Sequence, residues 1–216
     1  VAVREASLTL EKCKIHAIVG ENGAGKSTIS SIAAGLVAPD AGHVEVFGEK
    51  LSHGARAAIG RGVGMVQQHF RIVDALTVLE NAMLGVEPVR GFGRIERAAA
   101  RAKLEAVQRE LGSALGPDER AGSLGVGDRQ RLEIARVLFR DARVVLLDEP
   151  TAVLSPQDAS ALYRTLRRLA DGGRAIAVVT HKIDEVLDWA DAVTVMRRGR
   201  VVSTRTVRRT DDRLAQ

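Results

Sequence analysis

The sequence predicts an α/β layered fold with a helical subdomain inserted in it. Three observations carry this. Short apolar runs closed by glycine or an acid alternate with helical stretches. One strand-to-helix joint reads "GENGAGKS", the spacing of a phosphate-binding loop. From about Ile72 to about Arg140 strand texture gives way to strong helix formers.

Taken in order, Val1 to Leu10 alternates and reads as a strand, its beginning truncated. Lys14 to Gly20, "KIHAIVG", reads as a buried strand. A helix is expected from Ser27 to about Val37, stopped by "APDAG". "HVEVFG" and "GVGMVQ", the latter Gly62 to Gln67, read as two further strands. No strand is expected between Thr77 and Leu115, where Leu104, Val107, Leu111 and Leu115 recur at helical spacing. Strands resume with "RVVLLD" and "RAIAVVT". Between them a helix is punctuated by Ser155 as N-cap, Pro156 at its first position, Asp158 in its first turn and Gly172-Gly173 at its end. "AVTVM" and "RVVST" flank an "RRG" turn and read as a terminal hairpin. The whole, residues 1–216, reads as a single domain with the helical subdomain at 72–140.

Composition bounds the function. The 216 residues are 45% hydrophobic and 27% charged, as in ordinary globular proteins, and only 3% aromatic, so the core is aliphatic. The net charge of +5 admits nucleic acid, lipid or nucleotide phosphates as partners. Arginines interleaved with Asp and Glu instead describe solvated helix faces, and no nucleic-acid partner is expected. The lone Cys13 excludes an internal disulfide framework and fits a reducing cytosol. No apolar run approaches the ~18 residues of a membrane span, and no signal peptide is visible.

Chemistry concentrates in a few places. In "GENGAGKST" (Gly20, Glu21, Asn22, Gly23, Ala24, Gly25, Lys26, Ser27, Thr28) the glycines permit a backbone that turns N–H groups inward at a helix start. Lys26 is expected to reach nucleotide β/γ-phosphates and Ser27 to ligate Mg²⁺. "VVLLDEP" ends a strand with Asp148, expected to hold Mg²⁺, and Glu149, expected to polarise the attacking water. Gln68 and His181 each follow a strand, where α/β sheets bind ligands. A second glycine turn, "LGVGD" (Leu124, Gly125, Val126, Gly127, Asp128), opens an amphipathic helix like another phosphate site.

Together, "GENGAGKST", "GMVQQHF", "LGVGDRQRLEIARVL", "VVLLDEPTA" and "VVTHK" resemble the ATP-binding cassette (ABC) ATPase family over nearly the whole chain. The resemblance implies an ABC-type P-loop NTPase core, a mixed sheet with flanking helices. It makes Gln68 the Q-loop glutamine touching Mg²⁺ and the attacking water, and His181 a switch residue on the γ-phosphate. It also explains the second turn, which in this family caps ATP held by another cassette, two cassettes sandwiching two ATPs. "GMVQQHF", "DEPTAVLSPQD" and "THKIDEV" resemble ATPases of nucleoside and simple-sugar importers, most like the first half of a two-cassette chain.

Three departures from the family pattern stand out. Gly125 replaces the signature serine, removing a hydroxyl donor to the γ-phosphate and weakening the site it completes. Ser155 stands at the usual D-loop aspartate, and Cys13-Lys14 replaces a Gly-Glu turn. The adenine-stacking aromatic is expected before Val1.

The resemblance implies ATP and Mg²⁺ as cofactors and hydrolysis driven by closure of paired cassettes. The implied partners are a second cassette, in the same longer chain or in a homodimer, a permease and, indirectly, a substrate-binding protein. The implied location is the cytoplasmic face of the plasma or inner membrane, peripheral through the permease. Two alternatives stay open: a soluble cassette acting on nucleic acid or ribosomes, and a hydrolysis-impaired regulatory cassette.

Overall fold

Five short runs that the sequence marks as apolar become adjacent strands of one sheet. The computed structural model describes residues 2–90 and 94–207. The parallel strands are β1 (Ile15–Val19), β4 (Val63–Val66), β7 (Val144–Asp148), β8 (Ala175–Val179) and β9 (Ala192–Arg197). With the antiparallel β10 (Arg200–Thr206) they form a six-stranded sheet ordered β10-β9-β1-β8-β7-β4. Parallel strands buried on both faces read as continuous aliphatic runs, which is why "IHAIV" and "AIAVV" show no alternation.

Alternate residues feed two cores. Ile176 and Val178 of β8 join a cluster with α6 (Pro156–Asp171) and α5 (Val126–Phe139). Ala177 and Val179 join a cluster with α1 (Lys26–Ala33) and α2 (Ala55–Gly60). A third core is helical. It joins α3 (Val78–Met83), α4 (Arg97–Leu111) and α5 through Val78, Leu79, Leu104, Leu132 and Phe139. Thr77 starts α3 with a reciprocal capping box to Glu80. The last helix, α7 (Ile183–Trp189), packs Val186 against β1.

Five expectations need correction. Val1 lies outside the described residues, and residues 2–10 form no strand. Glu5 sits at φ 38, which breaks extended geometry, while Val3, Ala6, Leu8 and Leu10 still pack on the core. Their alternation records one-sided burial without a ladder. "HVEVFG" yields only β2 (Glu45–Val46), paired with β3 (Glu49–Lys50) in a hairpin outside the main sheet. Its turn residues Phe47 and Gly48 are both left-handed, as a two-residue hairpin loop demands. A second hairpin, β5 (Val89–Arg90) with β6 (Arg94–Ile95), lies where no strand was expected. Two-residue strands are too short to show a period. Leu115 is buried but not helical, because α4 ends at the left-handed Gly112. The helix after the phosphate loop likewise stops at Ala33 rather than Val37, since Gly35 turns at φ 69.

Cys13 adopts φ 62, a conformation that costs a side chain about 1–2 kcal/mol relative to glycine. The residue is exposed, and its backbone bonds to Arg174 and Arg167 do not need the thiol. Cys13→Gly should therefore stabilise the fold by about 0.5–1 kcal/mol once glycine's greater unfolded-state entropy is subtracted. Thermal unfolding checks this, and a lowered midpoint contradicts it.

Candidate functional site

Four neighbouring parallel strands, β1, β8, β7 and β4, deliver their C-terminal ends to one edge of the sheet. Each of the sequence-nominated groups outside the signature turn follows one of those ends. This is the crevice where α/β sheets bind ligands.

The loop after β1 is built on three glycines with φ of 155, 78 and 100 at Gly20, Gly23 and Gly25. A β-carbon on Gly20 would lie 2.2 Å from the Met196 carbonyl oxygen of β9. One on Gly25 would lie 2.6 Å from the Ala2 carbonyl oxygen. The loop thus packs by its backbone against two neighbours. The Gly199 N–H in the β9-β10 turn also donates to the Ala24 carbonyl at 2.9 Å. Sequence reasoning missed this buttress, since nothing in the motif points to a hairpin in the last fifth of the chain.

Lys26 is 5% exposed, and its ammonium donates to the carbonyls of Gly20 (2.7 Å) and Glu21 (3.0 Å). The ammonium is therefore folded back over the loop at the head of α1. Glu21, Asn22, Gly23 and Ser27 are exposed, Thr28 is half-buried, and Ala24 and Gly25 are buried. Ser27 Oγ donates to Asp148 Oδ1 at 3.1 Å, tying the head of α1 to the end of β7. Burial raises the Asp148 pKa above the usual carboxylate value, and the adjacent Glu149 adds to this.

Glu149 has a left-handed φ of 47, and its N–H donates to Val179 O at 2.9 Å. Its carboxylate gathers the remaining nominees. Gln68 Nε2 donates to Oε2 at 3.4 Å, and His181 Nδ1 lies 3.4 Å from Oε1. The structure thus places Gln68 beside Glu149 and gives it no hydrogen bond to Ser27 or Asp148 among the described residues.

These groups fit a magnesium nucleotide. A hydroxyl and a carboxylate at one point are hard oxygen donors, suited to a Mg²⁺ that keeps waters and phosphate oxygens as its other ligands. Among the described residues no group of three or more His, Cys, Asp or Glu forms a self-sufficient metal cage. The loop amides, the α1 terminus and Lys26 together offer the donors and positive charge that a phosphate group binds.

The second glycine turn stands elsewhere. Leu124 is buried in the helical core, Gly125 is the N-cap of α5, and Val126 is 47% exposed. Gly127 packs on Asp158, and Asp128 pairs with Arg131 at 2.6 Å. Among the described residues none of these five hydrogen-bonds to the loop at Lys26. Gly125 has φ −64 and ψ 164, and an added β-carbon would meet nothing within 4 Å. Gly125→Ser should therefore fit and cap α5 for a few tenths of a kcal/mol, read as a slightly raised thermal midpoint. A lowered midpoint contradicts this.

A cluster that the sequence left unassigned lies just behind the carboxylate. Thr151, Thr180, Tyr163 and Lys182 all hydrogen-bond or ion-pair with Glu185. The only available signal was a glutamate four positions after His181.

Comparison with known proteins identifies the family. The family model described as ABC transporter matches residues 3–152. The chain is 41% identical over 206 residues to the nucleoside import ATP-binding protein NupA of Lactococcus lactis subsp. cremoris (strain MG1363), covering 94% of this chain and 40% of that one. It is 40% identical over 213 residues to the ribose import ATP-binding protein RbsA 3 of Rubrobacter xylanophilus, covering 98% of this chain and 43% of that one. The chain thus spans about two-fifths of the length of the curated relatives it matches. Among solved structures, the ADP conformation of the cassette MJ1267 superimposes with a TM-score of 0.83 at 25% identity, over 95% of this chain and 85% of that one. The mixed sheet, the glycine loop and the matched family model lead to one conclusion: this chain belongs to the ABC transporter family.

Proposed function

We propose that this chain is the ATP-binding and hydrolysing part of an importer for nucleosides or simple sugars. The observation that carries the reading is the convergence of the Lys26 loop, Ser27–Asp148, Glu149, Gln68 and His181 at the ends of four adjacent strands. The similarity to relatives named for nucleoside and ribose import supports the substrate class.

In this reading Lys26 and the loop amides bind and orient the phosphates, and Ser27 and Asp148 hold the metal. Bound Mg²⁺ supplies charge neutralisation on the phosphate oxygens. Glu149 orients the attacking water and receives its proton, with Gln68 and His181 fixing the carboxylate from either side. The signature residues Leu124 to Asp128 serve a second cassette, in the same longer chain or in a second copy. Their separation from their own loop supports this.

Residues 72–140 act as a helical subdomain that meets a permease, placing the chain at the cytoplasmic face of the membrane. A groove of about 250 Å³ lined by Ile59, Met65, Gln67, Arg71, Arg136 and Arg140 supports a docking role there. No helix among the described residues is long and apolar enough to cross a membrane.

Val73 and Leu84 are exposed at 41% and 37% on the proposed contact. In vesicles carrying the full-length protein and its permease, uptake of labelled nucleoside or ribose should require ATP. Val73→Asp with Leu84→Asp should abolish uptake and spare ATP hydrolysis. ATP-independent uptake, or full uptake by the double variant, contradicts the proposal.

A further inference from the structure

Glu149 holds a left-handed backbone conformation that a non-glycine residue adopts only under strain, so its surroundings must over-determine it. Besides the Val179 carbonyl that takes the Glu149 N–H, a hydrogen-bond node centred on α7 holds this turn two residues further on. Glu185 is 14% exposed in its side chain, and its carboxylate is crowded with donors. Oε2 accepts from Thr151 Oγ1 at 3.0 Å, Tyr163 OH at 2.8 Å and Thr180 Oγ1 at 3.3 Å. Oε1 faces Lys182 Nζ at 3.2 Å.

The placement of these partners gives the node its meaning. Thr151 lies two positions beyond Glu149, on the same turn, closed by Ala152 N–H donating to Glu149 O at 3.1 Å. Thr180 and Lys182 flank His181 on either side. Lys182 Nζ crosses to the Thr151 carbonyl at 3.0 Å, and Lys182 N–H donates to Thr180 Oγ1 at 3.1 Å. Thr151 and Thr180 are 2% and 3% exposed, so these hydroxyls have lost water and depend on the carboxylate. Tyr163 is itself fixed by stacking on Trp189, ring centroids 5.7 Å apart. Its phenol is pushed well above the ordinary range by burial and by the adjacent carboxylate, so it stays a donor.

We propose that Glu185 is a positioning residue for hydrolysis, clamping the turn that carries Glu149 to the loop that carries His181 so that the two side chains meet. The proposal rests on the reading of Glu149 and His181 given above. Glu185 touches neither side chain and acts through Thr151, Thr180 and Lys182.

The test is MgATP affinity and steady-state hydrolysis of the full-length protein with Glu185→Gln. The substitution keeps shape but replaces a multiply accepting carboxylate with an amide that presents one donor face. The expected result is a fall in kcat of roughly tenfold or more, because small misplacements of reacting groups are costly. The Kd for MgATP, set by the Lys26 loop, with which Glu185 shares no hydrogen-bond partner among the described residues, should stay within about twofold. In a Glu149→Gln background the same change should cost nothing further, as required of a residue acting through Glu149. Equal losses in kcat and affinity, or a full additional loss in that background, overturn the proposal. Should Glu185→Gln fail to fold, Tyr163→Phe removes a donor to the same oxygen and keeps the ring on Trp189. It should lower kcat about threefold at unchanged affinity, and wild-type kcat overturns the proposal. Wild-type turnover in Glu149→Gln alone overturns the parent reading instead.

Discussion

Glu149→Gln in the full-length protein should reduce ATP turnover by about 10²–10⁴-fold, the usual worth of a positioned general base. MgATP affinity should remain within about threefold, because the phosphates are gripped elsewhere. The carboxylate sits between Gln68 Nε2 and His181 Nδ1, each 3.4 Å away, and is only 18% exposed. The amide matches it in volume and meets the same left-handed backbone, so neither packing nor strain changes. What is lost is the capacity to take a proton from water, together with one of the two oxygens that face Gln68 and His181. Turnover near the wild-type rate would remove Glu149 from the chemistry and favour a cassette that works by binding alone.

Gly20→Ala has the largest expected structural effect. The new β-carbon would stand 2.2 Å from Met196 O and 3.1 Å from Met196 C, both backbone atoms of a strand paired with β1. Neither atom can move without parting β1 from β9 at the point where the loop begins. Overpacking and the φ of 155 together predict a loss of about 3 kcal/mol or more. MgATP binding should be lost with it. Gly23→Ala is the natural comparison, because its β-carbon meets nothing within 4 Å. It should cost only the left-handed penalty of about 1–2 kcal/mol. Equal thermal midpoints for the two variants would contradict this reading of the loop.

The sheet strands were legible because strands buried on both faces leave uninterrupted aliphatic runs, and the site strands were legible because each ends in a residue of distinctive chemistry. Ser155, Pro156 and Asp158 announced α6 by local capping, which needs no tertiary information: Ser155 Oγ accepts from Asp158 N–H at 3.1 Å. The pairs around Glu149 were not legible, since Gln68, Glu149 and His181 are brought together only by strand order. Residues 2–10 misled because one-sided burial imitates a strand whether or not a ladder forms. The hairpins β2-β3 and β5-β6 are set by turn geometry over too few residues to carry a period. Glu185 escaped notice because a glutamate in "THKIDEV" looks like any first-turn acid of a helix. Only the tertiary arrangement, which brings the turn at Thr151, Tyr163 of α6 and Thr180 beyond β8 to α7, shows that three hydroxyls donate to it.

The account depends above all on the grip of the loop around Lys26 on a nucleotide's phosphates. Titration of the full-length protein with MgATP, wild type against Lys26→Ala, measures that grip directly. Lys26 holds two loop carbonyls and is 5% exposed, so its ammonium is already in place to bind phosphate oxygens. Charge-assisted bonds of about 1.5–3 kcal/mol each predict that Lys26→Ala weakens binding by roughly 10²-fold or more. Equal affinity in the two proteins, or no MgATP binding by the wild type, would contradict the account.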